Sequence, residues 1–361
     1  MKKLLGTTAL VAAAFATAPA MAADKIKMKV GGYFVGAIAA VFDADLGAGG
    51  ATDERTIRFA REAEVHFKGS TTLDNGVEVG VKFELEGGDA GTDNLDEAYI
   101  WVEGAFGEFQ FGDQDGVGDQ MPIVAPSPFL EHFANDTDLD PIGGVFDGAP
   151  AAIGSGPNTV ADFSGDATKI IYFTPRLAGF QAGLSFAPEN SELSGDETYS
   201  DAFSGNNTYE NIFEAGLTWE YGFNGVDLGA SFVYVTAEDN GVGVNDVDDW
   251  ALGASVGFAG FTVGGAYGEK ESVAIGGEEY KAWDIGVTYG TGPWTFGVEY
   301  AEANVDGAAG AADPIEDTAI VGGVAYSLGG GANVSLGYKY GEGEFRNREG
   351  SALFTEFGVK F

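Results

Sequence analysis

Val77-Glu78-Val79-Gly80-Val81-Lys82-Phe83-Glu84-Leu85-Glu86 decides how this chain folds: every odd position is apolar and every even one is charged or glycine. That two-residue period belongs to a strand with one apolar face and one wet face. Working outward, the same alternation recurs almost to the C-terminus. Phe213, Ala215, Leu217, Trp219 and Tyr221 share a face, as do Trp250, Leu252, Ala254, Val256 and Phe258, and finally Leu353, Thr355, Phe357, Val359 and Phe361.

Counting such sets together with segments 26–42, 55–69, 77–86, 95–104, 108–113 and 166–174 gives roughly sixteen strands, each near the ten residues expected of a tilted membrane strand. The connections alternate in length. Leu73-Asp74-Asn75-Gly76, Gly222-Phe223-Asn224-Gly225, Ala259-Gly260 and Thr291-Gly292-Pro293 are tight, with glycine supplying positive φ, whereas 43–54, 189–210, 237–247, 304–316 and 342–351 are long and acidic. A soluble sandwich also alternates. Short turns on one rim and long loops on the other, however, mark a transmembrane barrel. Trp219, Tyr221, Phe258, Phe261, Tyr289, Trp294, Tyr326, Phe180 and Phe109 sit beside tight turns on the apolar face, where an interfacial aromatic girdle belongs. The expected fold is therefore all-β, a closed antiparallel transmembrane barrel over residues 23–361.

Residues 1–22 read as a cleaved signal peptide: Lys2-Lys3, an apolar run from Leu4 to Ala18, then Ala20-Met21-Ala22. Their removal leaves 16 basic against 56 acidic residues, a formal charge of −40. Such a chain lacks the basic face with which nucleic-acid binders displace counterions. It has no cysteine, hence no disulfide framework and no thiolate metal site. Its 58 glycines and 13% aromatic content suit many strands joined by tight turns.

One connection stands apart. Residues 114–165 hold eight carboxylates (Asp115, Asp119, Glu131, Asp136, Asp138, Asp140, Asp147, Asp162) and no Lys or Arg. Loops this long are uncommon and usually functional, and Ile123, Val124, Phe129, Leu130, Phe133 and Phe146 make it too apolar for a solvated tail. The expectation is a loop, following strand five, that folds into the barrel and narrows the channel. Asn135-Asp136-Thr137-Asp138-Leu139-Asp140 and Asp113-Gln114-Asp115-Gly116…Asp119 space carboxylates at alternate positions, as hard-cation loops do. Asp136, Asp138 and Asp140 are accordingly candidate calcium ligands, although neither run completes an EF-hand and both read equally as solvated acids. The only imidazoles, His66 and His132, are far apart, without the neighbours of a nucleophilic triad, so no enzyme is expected. No cofactor is required, and no glycine-rich nucleotide motif is present.

Leu73-Asp74-Asn75-Gly76-Val77, Leu95-Asp96-Glu97-Ala98-Tyr99, Gly107-Glu108-Phe109-Gln110-Phe111-Gly112-Asp113, Tyr172-Phe173-Thr174-Pro175 and the terminal Phe357-Gly358-Val359-Lys360-Phe361 resemble, in that order along the chain, the sixteen-stranded general porins of Gram-negative bacteria, nearest the alphaproteobacterial branch. The resemblance implies a homotrimer in the outer membrane, in contact with lipid and lipopolysaccharide, that passes small hydrophilic solutes by diffusion. It also implies recognition of Phe361 by the outer-membrane insertion machinery and a constriction formed by residues 114–165. The acidic side of that constriction would be Asp113, Asp115, Asp119, Glu131, Asp136, Asp138, Asp140 and Asp147. Facing it, the family's usual arginine cluster is sparse here, with Arg58, Lys82 and Lys169 as wall candidates and Lys27 and Lys29 lower on strand one. Counted this way the channel prefers cations; the alternative is a substrate-specific channel or receptor of the same fold, its Phe-rich loop binding one solute. Arg61 falls on the lipid face, where a midplane charge costs about 2–4 kcal/mol unless a bulge or a neighbouring subunit relieves it.

Overall fold

A computed structural model describes residues 24–45, 56–87, 95–135, 142, 157–161, 163–190, 209–239, 246–271, 279–306, 315–344 and 348–361. Sixteen strands follow one another along the chain: β1 (Lys27–Asp45), β2 (Ile57–Thr72), β3 (Glu78–Glu86), β4 (Leu95–Gly104), β5 (Gly107–Asp113), β6 (Thr168–Phe173), β7 (Phe180–Glu189), β8 (Tyr209–Phe223), β9 (Val226–Asp239), β10 (Val247–Phe258), β11 (Phe261–Lys270), β12 (Glu279–Thr291), β13 (Trp294–Asp306), β14 (Ile315–Gly329), β15 (Ala332–Gly343) and β16 (Arg348–Lys360). Each pairs antiparallel with its sequence neighbours, and β1 pairs with β16. Closure removes the open sheet edges that hydrocarbon does not tolerate. The seam runs from Tyr33 opposite Lys360 to Asp45 opposite Glu349, and Gly32 and Phe361 exchange two backbone hydrogen bonds of 3.0 Å at its foot.

The hairpins follow from turn chemistry. Asn224 (φ 50°) and Gly225 (φ 79°) both hold positive φ between β8 and β9, the mirror-type turn that matches strand twist. The outward face is the apolar register read from sequence: Leu217, Leu252, Ile285, Leu336 and Phe357 remain exposed, as lipid contact requires. Near the tight turns, neighbouring strands pair their aromatics: Phe261 with Tyr289 (centroids 4.4 Å apart), Trp294 with Tyr326 (4.5 Å) and Phe109 with Tyr172 (4.6 Å). Arg61 does point outward, but no bulge interrupts either ladder of β2. Its guanidinium instead donates to the carbonyl of Gly87, just past the end of β3 (3.0 Å), giving the charge a polar partner at that short strand's rim.

The inward face departs from a simple wet surface. On β2 to β5 it is charged, with Glu62, Glu64, His66, Lys82, Glu84 and Glu97. From β7 round to β16 and β1 it is buried, with small apolar residues such as Ala187, Val233, Ala251, Ala301, Val321 and Ala352, all under 5% exposed, interspersed with buried carboxylates such as Glu214, Asp284, Glu299 and Glu356. The core of this protein therefore lies inside the barrel, between wall and loop. Two buried clusters compose it, one around Val117, Met121, Ile171 and Ile212, the other around Phe129, Ala134, Ile142 and Phe354. Fully burying each large apolar side chain there contributes roughly 1.5–3 kcal/mol.

Candidate functional site

The segment after β5 opens with one helical turn, α1 (Val117–Gln120), which packs against β7, β8 and β9. Beyond it, Met121-Pro122-Ile123-Val124-Ala125-Pro126-Ser127-Pro128-Phe129-Leu130 has no regular structure. Its three prolines carry no N–H that would need a partner and hold the chain extended. The segment crosses ten strands in succession, and each meets it with a glycine. A Cβ on Gly183 or Gly216 would strike Met121, on Gly229 or Gly253 Ile123, on Gly286 Pro126, on Gly297 Pro128, on Gly323 or Gly337 Phe129, and on Gly358 Leu130, and one on Gly264 would press on Pro126 at 3.3 Å. These glycines form a groove, one per strand from β7 to β16, whose depth is a missing side chain.

Wall side chains satisfy the loop's backbone. Gly118 N–H donates to Glu214 (2.8 Å), which Ser185 also approaches (2.9 Å). Ile123 N–H donates to Ser231 (2.8 Å) and Ala125 N–H to Asp284 (2.7 Å); Asp284 further accepts from Asn135 (3.3 Å) and from the Thr159 hydroxyl. Asn135 N–H reaches Glu299 (3.3 Å). Glu356 takes four donors: the N–H groups of Leu130 (3.1 Å) and Glu131 (3.0 Å), the Ser335 hydroxyl (2.6 Å) and His132 Nδ1 (2.6 Å). The His132 ring stacks on Phe354, with centroids 4.2 Å apart. Each of these carboxylates is buried and alternates with lipid-facing neighbours, so the groups they hold lie inside the barrel.

Of the acidic residues expected at a constriction, Asp136, Asp138, Asp140 and Asp147 lie outside the described residues, and with them the candidate calcium ligands. Asp113 accepts a hydrogen bond from Thr168 where β5 ends and β6 begins. Asp115 brings a carboxylate oxygen within 4.8 Å of Glu97 and Asp166. Asp119 is exposed on α1, and Glu131 is half-buried. Among the basic candidates, Arg58 is half-buried on the inward face of β2. Lys82 is engaged by Glu97 (2.7 Å) and Glu84, with its ammonium 5.5 Å from the centre of the Tyr99 ring. Lys169 is on the wall, yet only 1% exposed: its ammonium donates to the carbonyls of Gln114 and Gly165 and ties together the two ends of the long connection. It is a fastening of the loop, because the loop roots cover it, and its charge does not face open water. Reading the sequence for basic wall residues missed the acidic wall of Glu62, Glu64, Glu84 and Glu97, and the four anchors Glu214, Asp284, Glu299 and Glu356. The available signal was register, since all eight alternate with lipid-facing positions.

A closed sixteen-stranded barrel with a charged inner wall is the architecture of a channel. The family model that matches the sequence, over residues 7–346, is that of the Gram-negative porins. The chain belongs to that family. Among solved structures this porin is similar to the channel DcaP of Acinetobacter baumannii (13% identity, TM-score 0.63, 95% of this chain and 100% of that one). It is also similar to OmpT of Vibrio cholerae in its trimer form (14%, 0.62, 94% and 100%) and to an anion-selective porin from Comamonas acidovorans (16%, 0.60, 93% and 100%). At such identities the likeness concerns the fold. No curated protein matches the sequence. The porin family is one of outer-membrane channels.

Proposed function

We propose that this porin is a water-filled diffusion channel that prefers cations, with residues 114–165 narrowing it and the inner faces of β2 to β5 forming the wall opposite. The observation that carries the reading is the division of the interior: one half covered by Met121–Leu130, its carboxylates buried and holding the loop, and a half on β2 to β5 where the described carboxylates outnumber the cations. Glu62, Glu64, Glu84 and Glu97 stand there against Arg58, Lys68 and Lys82, and Asp119 and Glu131 add to the negative side. Carboxylates along a narrow passage raise the local cation concentration and repel anions.

The Comamonas channel, called anion-selective, has the same fold, so the sign must come from charge and not from architecture. Assembly as a homotrimer is part of the proposal, supported by the trimer form of the Vibrio neighbour, as are export by a cleaved leader and recognition of Phe361 during insertion. A solute-specific channel with a Phe-rich binding loop gains less support, because Phe129 is buried against Gly337 and Phe354, and Phe163 packs on Tyr209.

The test is the zero-current potential across a planar bilayer under a KCl gradient. Its sign should mark K⁺ over Cl⁻, and it should shrink towards 1 M salt, where the screening length falls to about 3 Å. It should also shrink when Asp136, Asp138 and Asp140 are together changed to Asn. An anion-selective channel, or a potential indifferent to salt and to all three changes, would overturn the reading.

A further inference from the structure

On the charged wall, three metal-ligating side chains converge from two adjacent strands. Glu64 and His66 are two residues apart on β2, so both face the lumen, and Glu84 on β3 is the direct cross-strand partner of His66. His66 Nε2 lies 2.6 Å from Glu64 Oε2 and 3.3 Å from Glu84 Oε1, and the three donor atoms fall within 4.8 Å of one another. Ligands 2.0–2.2 Å from a tetrahedral ion stand about 3.3–3.5 Å apart, the spacing His66 and Glu84 already have, so the ion is seated when the Glu64 carboxylate turns back by somewhat under about 1 Å from its direct contact with the imidazole.

The donor set is informative. Among the described residues a second group, Glu97, Asp115 and Asp166, also converges, but it is all carboxylate and offers nothing that solvated acids do not. An imidazole beside two carboxylates suits zinc, cobalt, nickel or iron(II) better than calcium or magnesium. The Tyr33 hydroxyl donates to Glu64 Oε1 (2.8 Å), leaving Oε2 turned to the imidazole, the outer-shell support that orients ligating carboxylates. Charge points the same way. Lys82 pairs with Glu84 and Glu97, and Lys68 lies directly across the strand pair from it, so Glu64, Glu84, Glu97 and Asp96 still outnumber the two ammonium groups beside His66. His66 is 29% exposed while Glu84 is 8% exposed, which leaves the lumen side open for water ligands.

We propose that Glu64, His66 and Glu84 bind one divalent transition-metal ion on the channel wall, with the remaining coordination position open to the lumen. Lys82 stays with Glu97 when the ion takes its share of Glu84. Because the ion cancels the local excess of negative charge, its binding lowers cation preference in a channel of the kind proposed above. The binding itself stands apart from that reading.

The test uses the full chain, folded in detergent and purified without a histidine tag. Cobalt(II) titration followed by visible absorption should give one ion per chain with the intensity of a four- or five-coordinate site, and zinc should displace it. His66→Asn should weaken zinc binding at least tenfold by calorimetry, with Glu84→Gln doing the same should the first variant fail to fold. Heat-modifiable mobility confirms folding of each. His132, sealed between Phe354 and Glu356, does not compete. Absence of stoichiometric cobalt binding, or equal zinc affinity in wild type and folded His66→Asn, would overturn the proposal whatever the selectivity of the channel.

Discussion

Glu356 offers the sharpest test of how the loop is held, because one carboxylate, 1% exposed, fastens three consecutive loop residues to the wall. Glu356→Gln keeps the shape but turns one acceptor oxygen into an NH₂ group. Ser335 and His132 can rotate or change tautomer to accept from it. The N–H of Leu130 or of Glu131 cannot, and faces a donor instead. Leaving one buried N–H unsatisfied costs about 1–3 kcal/mol, and the bonds that survive lose the charge assistance that separates about 1.5–3 from about 0.5–1.5 kcal/mol. A local cost of about 3–5 kcal/mol follows, comparable with breaking a buried ion pair. At about 1.4 kcal/mol per factor of ten, the detached state of residues 130–135 should rise by roughly two to three and a half orders of magnitude. The remaining anchors, Glu214, Ser231 and Asp284, keep the earlier part of the loop in place. Single-channel recordings should therefore show added open-channel noise and substates. Limited proteolysis of the folded protein should cut near Leu130–Asn135, while far-ultraviolet circular dichroism stays unchanged. Glu356→Ala should go further and Ser335→Ala much less. Noise and cleavage rates identical to wild type in Glu356→Ala would refute the anchoring role.

Three further outcomes follow from the same geometry. Gly253→Ala places a Cβ inside the Ile123 carbonyl, so the crossing segment must lift into the lumen and conductance should fall, whereas Gly225→Ala in a turn with open space around it should leave conductance unchanged. Lys169→Met leaves the Gln114 and Gly165 carbonyls without their charged donor, a cost of about 1.5–3 kcal/mol per bond; faster proteolysis at the loop roots with intact heat-modifiability is expected, and unchanged cleavage would count against the fastening. Deleting Phe361 removes the two backbone bonds to Gly32 at the foot of the seam and a lipid-facing ring, and should lower the yield of folded protein in the outer membrane.

What the sequence determined by itself was everything governed by near neighbours along the chain. Alternation in Val77–Glu86 and its repeats named the outward face, because lipid selects each second residue without reference to any distant one. Asn224-Gly225 specified its turn through backbone sterics alone, and the count of sixteen strands followed from period and loop parity. The interior was decided otherwise. Gly183, Gly253 and Gly337 look in sequence like small residues on a wet face, and Glu214, Asp284 and Glu356 like solvated acids on the same face. Only the fold brings Gly118 to Glu214, 96 residues away, and Leu130 to Glu356, 226 residues away. Lys169 shows the same limit from the other side: its register was legible, but its burial depended on two carbonyls of a loop whose path no local pattern encodes. A strand's alternation says which face a residue is on; what covers that face is fixed by packing between segments far apart in the chain, and there a missing side chain or a buried carboxylate has meaning only beside its partner.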